Sequence, residues 1–366
     1  MDKFCVFCGN KPEHKTYEHV LPQWLIGLTG EPTRTARFGR RWEGESENER
    51  VFSFNAFKFP SCEPCNATFS ALEAGAKPTV SKILAEGDVS ATEFNVLLDW
   101  FDKVRIGLWL AFIYLDGNPV GVKPHFYMAA RIGRHDRMLV VFRMDHHERG
   151  LNVAGCDTLF FRHVPSCFTL RINNYVFLNI SYPHLVSRRI GFPYPITSSL
   201  LEDERLKCRM SAGRNRVRMP LLRKAFSLLG TELYQPMFPE VTSVVEASQH
   251  YDVPYVKARS LSWEQGVGKI FLSRGRSLKE YPDSPSKLWM PVCTYRPDVL
   301  LFEAQILALE FQNFLIGIAP SFDALPSGKK AKWKSDCTLF KRYNDRVIEA
   351  LREKAVKLGI PPPHAI

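Results

Sequence analysis

Apolar positions along the chain give the first map of its elements. Ser90-Ala91-Thr92-Glu93 matches a capping box, and apolar residues then recur at Phe94, Leu97, Leu98, Phe101, Val104 and Leu108. This helical spacing predicts a long helix over 92–115, closed by Asp116-Gly117-Asn118-Pro119. Similar patterns predict helices over 66–86, kinked near Pro78, and over 298–318 and 334–358. Residues 200–230 also read as helical, with a loop near Gly213.

Between 124 and 182 the pattern changes. The runs 138–144, 158–161, 167–172 and 175–180 are rich in β-branched and aromatic residues, which predicts strands. Asn173-Asn174 separates the last two runs and reads as a two-residue hairpin turn. The expected architecture is therefore α+β with an antiparallel sheet. Polar residues 30–49, with Arg34, Arg37, Arg40 and Arg41 followed by Glu43, Glu45, Glu47 and Glu49, read as an insertion loop. Residues 250–297, rich in Pro, Ser and Gly, read as irregular. Two units are expected: a cysteine-rich module over 1–88 and a larger mixed domain over 89–366, with the helix after Ser90 as the bridge.

Hydropathy also bears on the compartment. The apolar run 106–115 is too short to span a bilayer. The run 299–318 is interrupted by Glu303, Gln305, Glu310, Gln312 and Asn313, so it reads as a core helix. No basic-then-apolar signal opens the chain. A soluble, cytoplasmic protein with no membrane partner is expected. The 366 residues carry a formal charge of +11, which favours an anionic partner, nucleic acid first. Residues 1–90 hold 11 basic and 12 acidic side chains, so the excess lies in the later region.

Four of the nine cysteines form two pairs, Cys5-Val6-Phe7-Cys8 and Cys62-Glu63-Pro64-Cys65. Two such pairs can close a tetrahedral zinc site. The single cysteines Cys156, Cys167, Cys208, Cys293 and Cys337 read as small core residues. Between the pairs stands Tyr17-Glu18-His19-Val20-Leu21-Pro22, and Asn66 follows the last cysteine directly. A carboxylate, an imidazole and an amide beside a zinc site are equipment for metal-assisted phosphodiester hydrolysis.

The order Cys-x2-Cys, Glu18-His19-Val20-Leu21-Pro22, Cys-x2-Cys-Asn resembles the zinc-binding branch of the HNH, or ββα-metal, endonucleases, in an HNN-type variant. The resemblance covers about residues 5–75. It implies that His19 is the general base and that Glu18 and Asn66 hold one catalytic Mg²⁺ or Mn²⁺. It also implies that Cys5, Cys8, Cys62 and Cys65 hold a structural Zn²⁺. The middle asparagine of the family matches Asn55 or Asn48, and Asn55 is preferred because its distance before the second cysteine pair is nearer the usual one. The implied activity is cleavage of DNA to 5′-phosphate and 3′-hydroxyl ends. One base and one metal cut one strand at a time, which leaves room for a homodimer. A nuclease module on a large unassigned domain also resembles the plan of bacterial restriction and anti-phage defence proteins. The second domain would then recognise DNA, a regulatory protein or a ligand. The same cysteines also fit a non-catalytic zinc module, a nucleic-acid-binding regulator or adaptor in which His19 only packs or caps.

Three further clusters carry charge. Arg205, Lys207, Arg209, Arg214, Arg216, Arg218, Arg223 and Lys224 lie in a stretch without acids. Within it Arg209, Arg214, Arg216 and Arg218 are candidates for gripping a phosphate backbone, against a solvated basic face. Lys329, Lys330, Lys332, Lys334, Lys341 and Arg342 with Trp333 read as a surface helix in preference to a base-stacking site. Asp145-His146-His147-Glu148 reads as a polar turn.

Overall fold

The computed structural model describes residues 4–43, 46–56, 58–115, 128–145, 148–200, 206–210, 230–238, 253–274, 277–293, 296–318 and 327–360. Its first elements are strand β1 (Lys15–His19), helix α1 (Gln23–Leu28), strands β2 (Thr35–Glu43), β3 (Ser46–Ser53) and β4 (Lys58–Cys62), and helix α2 (Glu63–Leu84). Strands β1 and β4 pair antiparallel, with Lys15 opposite Cys62 and His19 opposite Lys58. Residues 30–49, expected as a loop, instead form most of the β2–β3 hairpin. The register sets Arg40 opposite Glu49, and opposite charges at paired positions favour an antiparallel ladder. Helix α2 continues through Pro78 while Ala76, Thr79, Val80 and Ile83 are buried. Tertiary packing of such a face outweighs one lost backbone bond.

After β5 (Asp88–Val89) comes helix α3 (Ala91–Leu115), and the expected capping box is present. The Ser90 N–H donates to Glu93 Oε2 at 2.9 Å, and the Glu93 N–H donates to Ser90 Oγ at 3.2 Å. Gly107 in α3 lets Val20 approach, since a Cβ there would stand 3.1 Å from a Val20 methyl.

The second half supplies β6 (Asp136–Met144), β7 (Leu151–Ala154), α4 (Leu159–His163), β8 (Cys167–Ile172), β9 (Tyr175–Tyr182) and α5 (Ser187–Ile190). Then follow β10 (Pro195–Leu200), β11 (Leu206–Met210), β12 (Gly230–Gln235), α6 (Val253–Arg259), β13 (Ser260–Ser262) and β14 (Val267–Gly268). The last are β15 (Phe271–Arg274), β16 (Ser277–Glu280), β17 (Ser286–Lys287), β18 (Val292–Cys293), α7 (Pro297–Ile318) and α8 (Ser327–Lys357).

An eight-stranded sheet runs β16-β15-β12-β6-β9-β8-β7, with β18 added in parallel beside the end of β6. The remaining pairings in it are antiparallel, so the fold is α+β, as expected. Its central strands β6, β8, β9 and β12 are buried on both faces, and the two-residue alternation sorts them. Leu139, Val141, Phe168, Leu170 and Phe177 share a core with α3. Met138, Val140, Phe142, Val176, Leu178 and Ile180 share another with α7 and Phe340 of α8. Helix α7 is long and apolar enough to cross a membrane by length and composition. Here it buries Leu300, Ala304, Leu307, Phe311 and Leu315 in that second core.

Three further expectations change. Residues 158–161 are not a strand: Thr158 caps α4 by accepting the Phe161 N–H at 3.1 Å. Residues 206–210 are a strand paired with β10, not helix, and 211–229 lie outside the described residues. Residues 250–297 hold α6 and the short strands β13 to β18. One core runs from Cys5, Phe7 and Leu25 through Trp100 and Phe101 to Phe168 and Phe177.

Candidate metal centre and adjoining site

The two Cys-x2-Cys pairs meet at one end of the β1–β4 ladder. The first pair lies on a tight turn, in which the Cys5 N–H donates to Asn10 O and the Gly9 N–H donates to Cys5 O, each at 2.8 Å. Gly9 takes φ 76° there, a left-handed conformation that glycine adopts without strain. The Val6 N–H then donates to Pro60 O at 3.0 Å, fastening this turn to β4. The second pair starts α2. Cys62 is the residue before the helix, and Pro64 sits in the first turn, where a missing N–H costs no helical bond.

All four thiol sulfurs lie within 4.8 Å of one another. Cys8 Sγ and Cys62 Sγ are 3.9 Å apart. A tetrahedron with Zn–S bonds near 2.3 Å has edges of about 3.8 Å, so the donor set fits zinc. Burial pushes the Cys8 and Cys65 thiols up from the ordinary value. Burial also acts against ionising Cys5, but backbone hydrogen bonds at Cys62, Cys8 and Phe7 outweigh it and hold that thiol below its ordinary value. A divalent cation would supply the charge that four crowded thiolates require. A closed set of four sulfurs has no open position, so such a zinc would be structural.

His19 ends β1, half-buried. Its pKa is held below the ordinary value by burial, and then by the positive charges of Lys58 and Lys103. The imidazole is therefore neutral at neutral pH, the state a general base needs. Its neighbour Glu18 is buried, and the Lys103 ammonium donates to its Oε1. The same ammonium donates to Glu73 Oε1 on α2. Burial raises the pKa of both carboxyls while Lys103 lowers it, and the net direction is up in each.

Asn66 is the fourth residue of α2 and half-buried. Asn55 lies in the short helical turn Phe54–Ala56 just before β4. Arg209 sits in β11 opposite Thr197, while Arg214, Arg216 and Arg218 lie outside the described residues. So do His146 and His147. The basic cluster of α8 is on a surface helix as expected. Lys332, Lys334, Lys341 and Arg342 are exposed, whereas Trp333 is half-buried with its ring against Phe340.

Sequence reasoning brought the four cysteines together and missed Glu73 and Lys103. A signal was present: Asp99, Asp102, Lys103 and Arg105 interrupt an otherwise apolar helix, and buried charges are rare unless paired. No family model, no curated protein and no solved structure matches the chain. What stands is a four-cysteine cluster compatible with a zinc site.

Proposed function

We propose that the chain is a divalent-metal-dependent endonuclease of the HNH type, acting on DNA. The observation that carries this reading is the joint placement of three features. The cysteine cluster joins the Cys5–Cys8 turn to the β4–α2 junction; β1 and β4 pair; and a half-buried His19 ends β1. Strand, strand and helix in this order, with Asn66 in the first turn of the helix, are the parts of a ββα-metal module.

In this reading His19 takes a proton from a water molecule, whose oxygen attacks the phosphorus. The bond from phosphorus to the 3′ oxygen breaks and leaves 5′-phosphate and 3′-hydroxyl ends. Asn66 and Glu18 would hold one Mg²⁺ or Mn²⁺, hard cations that prefer such oxygen ligands. Such a cation would supply neutralisation of the charge on the phosphate and the leaving oxygen. The +11 charge of the chain would favour DNA approach from a distance. With one such unit per chain, cleavage of both strands needs a second copy or a second event, and the remaining residues would supply recognition or control, in restriction or anti-phage defence.

One observation favours the non-catalytic alternative. Glu18, the implied carboxylate ligand, is held in a buried ion pair with Lys103. Plasmid nicking separates the two. Wild type should convert supercoiled DNA to open-circular DNA with Mg²⁺ or Mn²⁺ and not with EDTA. His19→Ala should lose at least about a hundredfold in rate, the scale of general-base catalysis. A zinc-loaded, folded wild type that binds DNA and never nicks it would leave the binding module.

A further inference from the structure

Three charged side chains from three elements meet next to His19. Lys103 of α3 donates one hydrogen bond to Glu18 of β1 and one to Glu73 of α2. Their side chains are 1%, 7% and 15% exposed, in that order. Taking such groups out of water is costly, and apolar side chains of similar volume commonly serve stability as well or better. Stability therefore gives no reason to keep the triad, but its position does.

Glu18 immediately precedes His19. Glu73 lies seven residues after Asn66, about two helical turns, so the two share a face of α2. Lys103 is in turn set by a rigid support. In the same stretch of α3, the Arg105 guanidinium donates to Asp102 Oδ1 at 2.6 Å, to Asn179 Oδ1 of β9 at 3.0 Å and to Pro165 O at 2.8 Å. Asp102 also accepts the Gly133 N–H at 2.9 Å. The zinc cluster fixes the far end of the β1–β4 ladder, where Lys15 stands opposite Cys62. The end that carries His19 is held instead by the triad, beside Val20 and Leu21, which are buried in the core with α3.

We infer that Lys103 is a positioning residue: its ammonium locks the strand end that carries His19 to the helix that carries Asn66. The inference rests on the reading of His19 and Asn66 as the cleavage site. An ammonium has three donors and can bridge two carboxylates that arrive from different directions. A methionine fills a similar volume and can bridge nothing.

The test uses the zinc-loaded full chain as wild type, Lys103→Met, and the triple variant Lys103→Met with Glu18→Gln and Glu73→Gln. The triple variant leaves no buried charge unpaired, so it guards against a simple failure to fold. Hydrogen exchange is read peptide by peptide, and nicking is measured as kcat and KM separately. Exchange at 15–19 and 58–62 should rise on the order of tenfold in both variants, by local opening, while 167–182 keep wild-type protection. Zinc should remain near one per chain. The kcat of Lys103→Met should fall by about tenfold to a hundredfold, the scale of a misplaced catalytic group, with KM nearly unchanged.

Wild-type exchange at β1 and β4, or a wild-type kcat in folded Lys103→Met, would overturn the lock. Failure of the nuclease reading looks different: wild type does not nick, or His19→Ala nicks as well as wild type. That result removes the catalytic role of the lock, whatever the exchange data say.

Discussion

His19 stands opposite Lys58 across the β1–β4 ladder. Burial first, and then the charges of Lys58 and Lys103, hold its pKa below the ordinary 6.5. Two consequences follow at this scale. A depressed histidine favours the fold fully at pH above 6.5, and that contribution fades as pH falls from there through the folded value, because the unfolded chain takes up the proton first. If His19 is the base, the acid limb of the pH–kcat/KM profile for nicking reports its pKa in the free protein. Lys58→Met removes one of the repelling charges, so the imidazole accepts a proton more readily. The limb should move to higher pH in the variant, by a fraction of a unit, since Lys58 is exposed and screened. A limb that stays in place would separate His19 from the group that controls the rate.

Elements were legible in the sequence where a local signal agreed with the packing. Helix α3 shows its start, because cap and periodicity point the same way, while the expected stop at Asp116-Gly117-Asn118-Pro119 lies outside the described residues. Ser90→Ala should destabilise the chain by about 1 kcal/mol, the usual worth of such a cap, read as a lower urea midpoint at constant slope. The hairpin at Asn173 was readable because its left-handed φ of 54° is one that asparagine tolerates. The aromatic run after Thr158 was not, since a single helical turn buried on both sides has the composition of a strand. Gln312 looked like an interruption of an apolar helix. It is instead buried at the core, donating to Gly155 O at 2.6 Å and Cys167 O at 3.1 Å and accepting from Thr158 at 2.7 Å. The same lesson applies to the candidate site. Cysteine spacing announces a metal cluster because a zinc site imposes the spacing. Lys103, by contrast, meets Glu18 from 85 residues away, and no local pattern encodes that pairing.

At the scale of the whole molecule, the question is whether residues 1–88 fold apart from the rest. The fold class followed from the alternation of helical and strand patterns. The layering did not, because it depends on which face of α3 meets which partner. In the structure, α3 shares one core with Phe7 and Leu25 on one side and with Phe168 and Phe177 on the other. Phe101 places its ring 5.5 Å from that of Phe177, and Trp100 places its ring 5.8 Å from that of Trp24. A core without an internal break should unfold as one unit. Cys62→Ser removes one of the four cysteines of the candidate zinc site. Structural zinc contributes about 10–16 kcal/mol of apparent binding free energy in small zinc-finger peptides, so the loss here should amount to several kcal/mol. Calorimetry of wild type should give a single transition, and Cys62→Ser should lower that transition as a whole, with metal analysis falling from about one zinc per chain towards none. If the variant instead loses a separate early transition and keeps the late one unchanged, the cysteine-rich module folds on its own and the shared core does not couple it to the sheet. A single lowered transition would mean that the zinc supports the sheet as well as the ladder that holds His19.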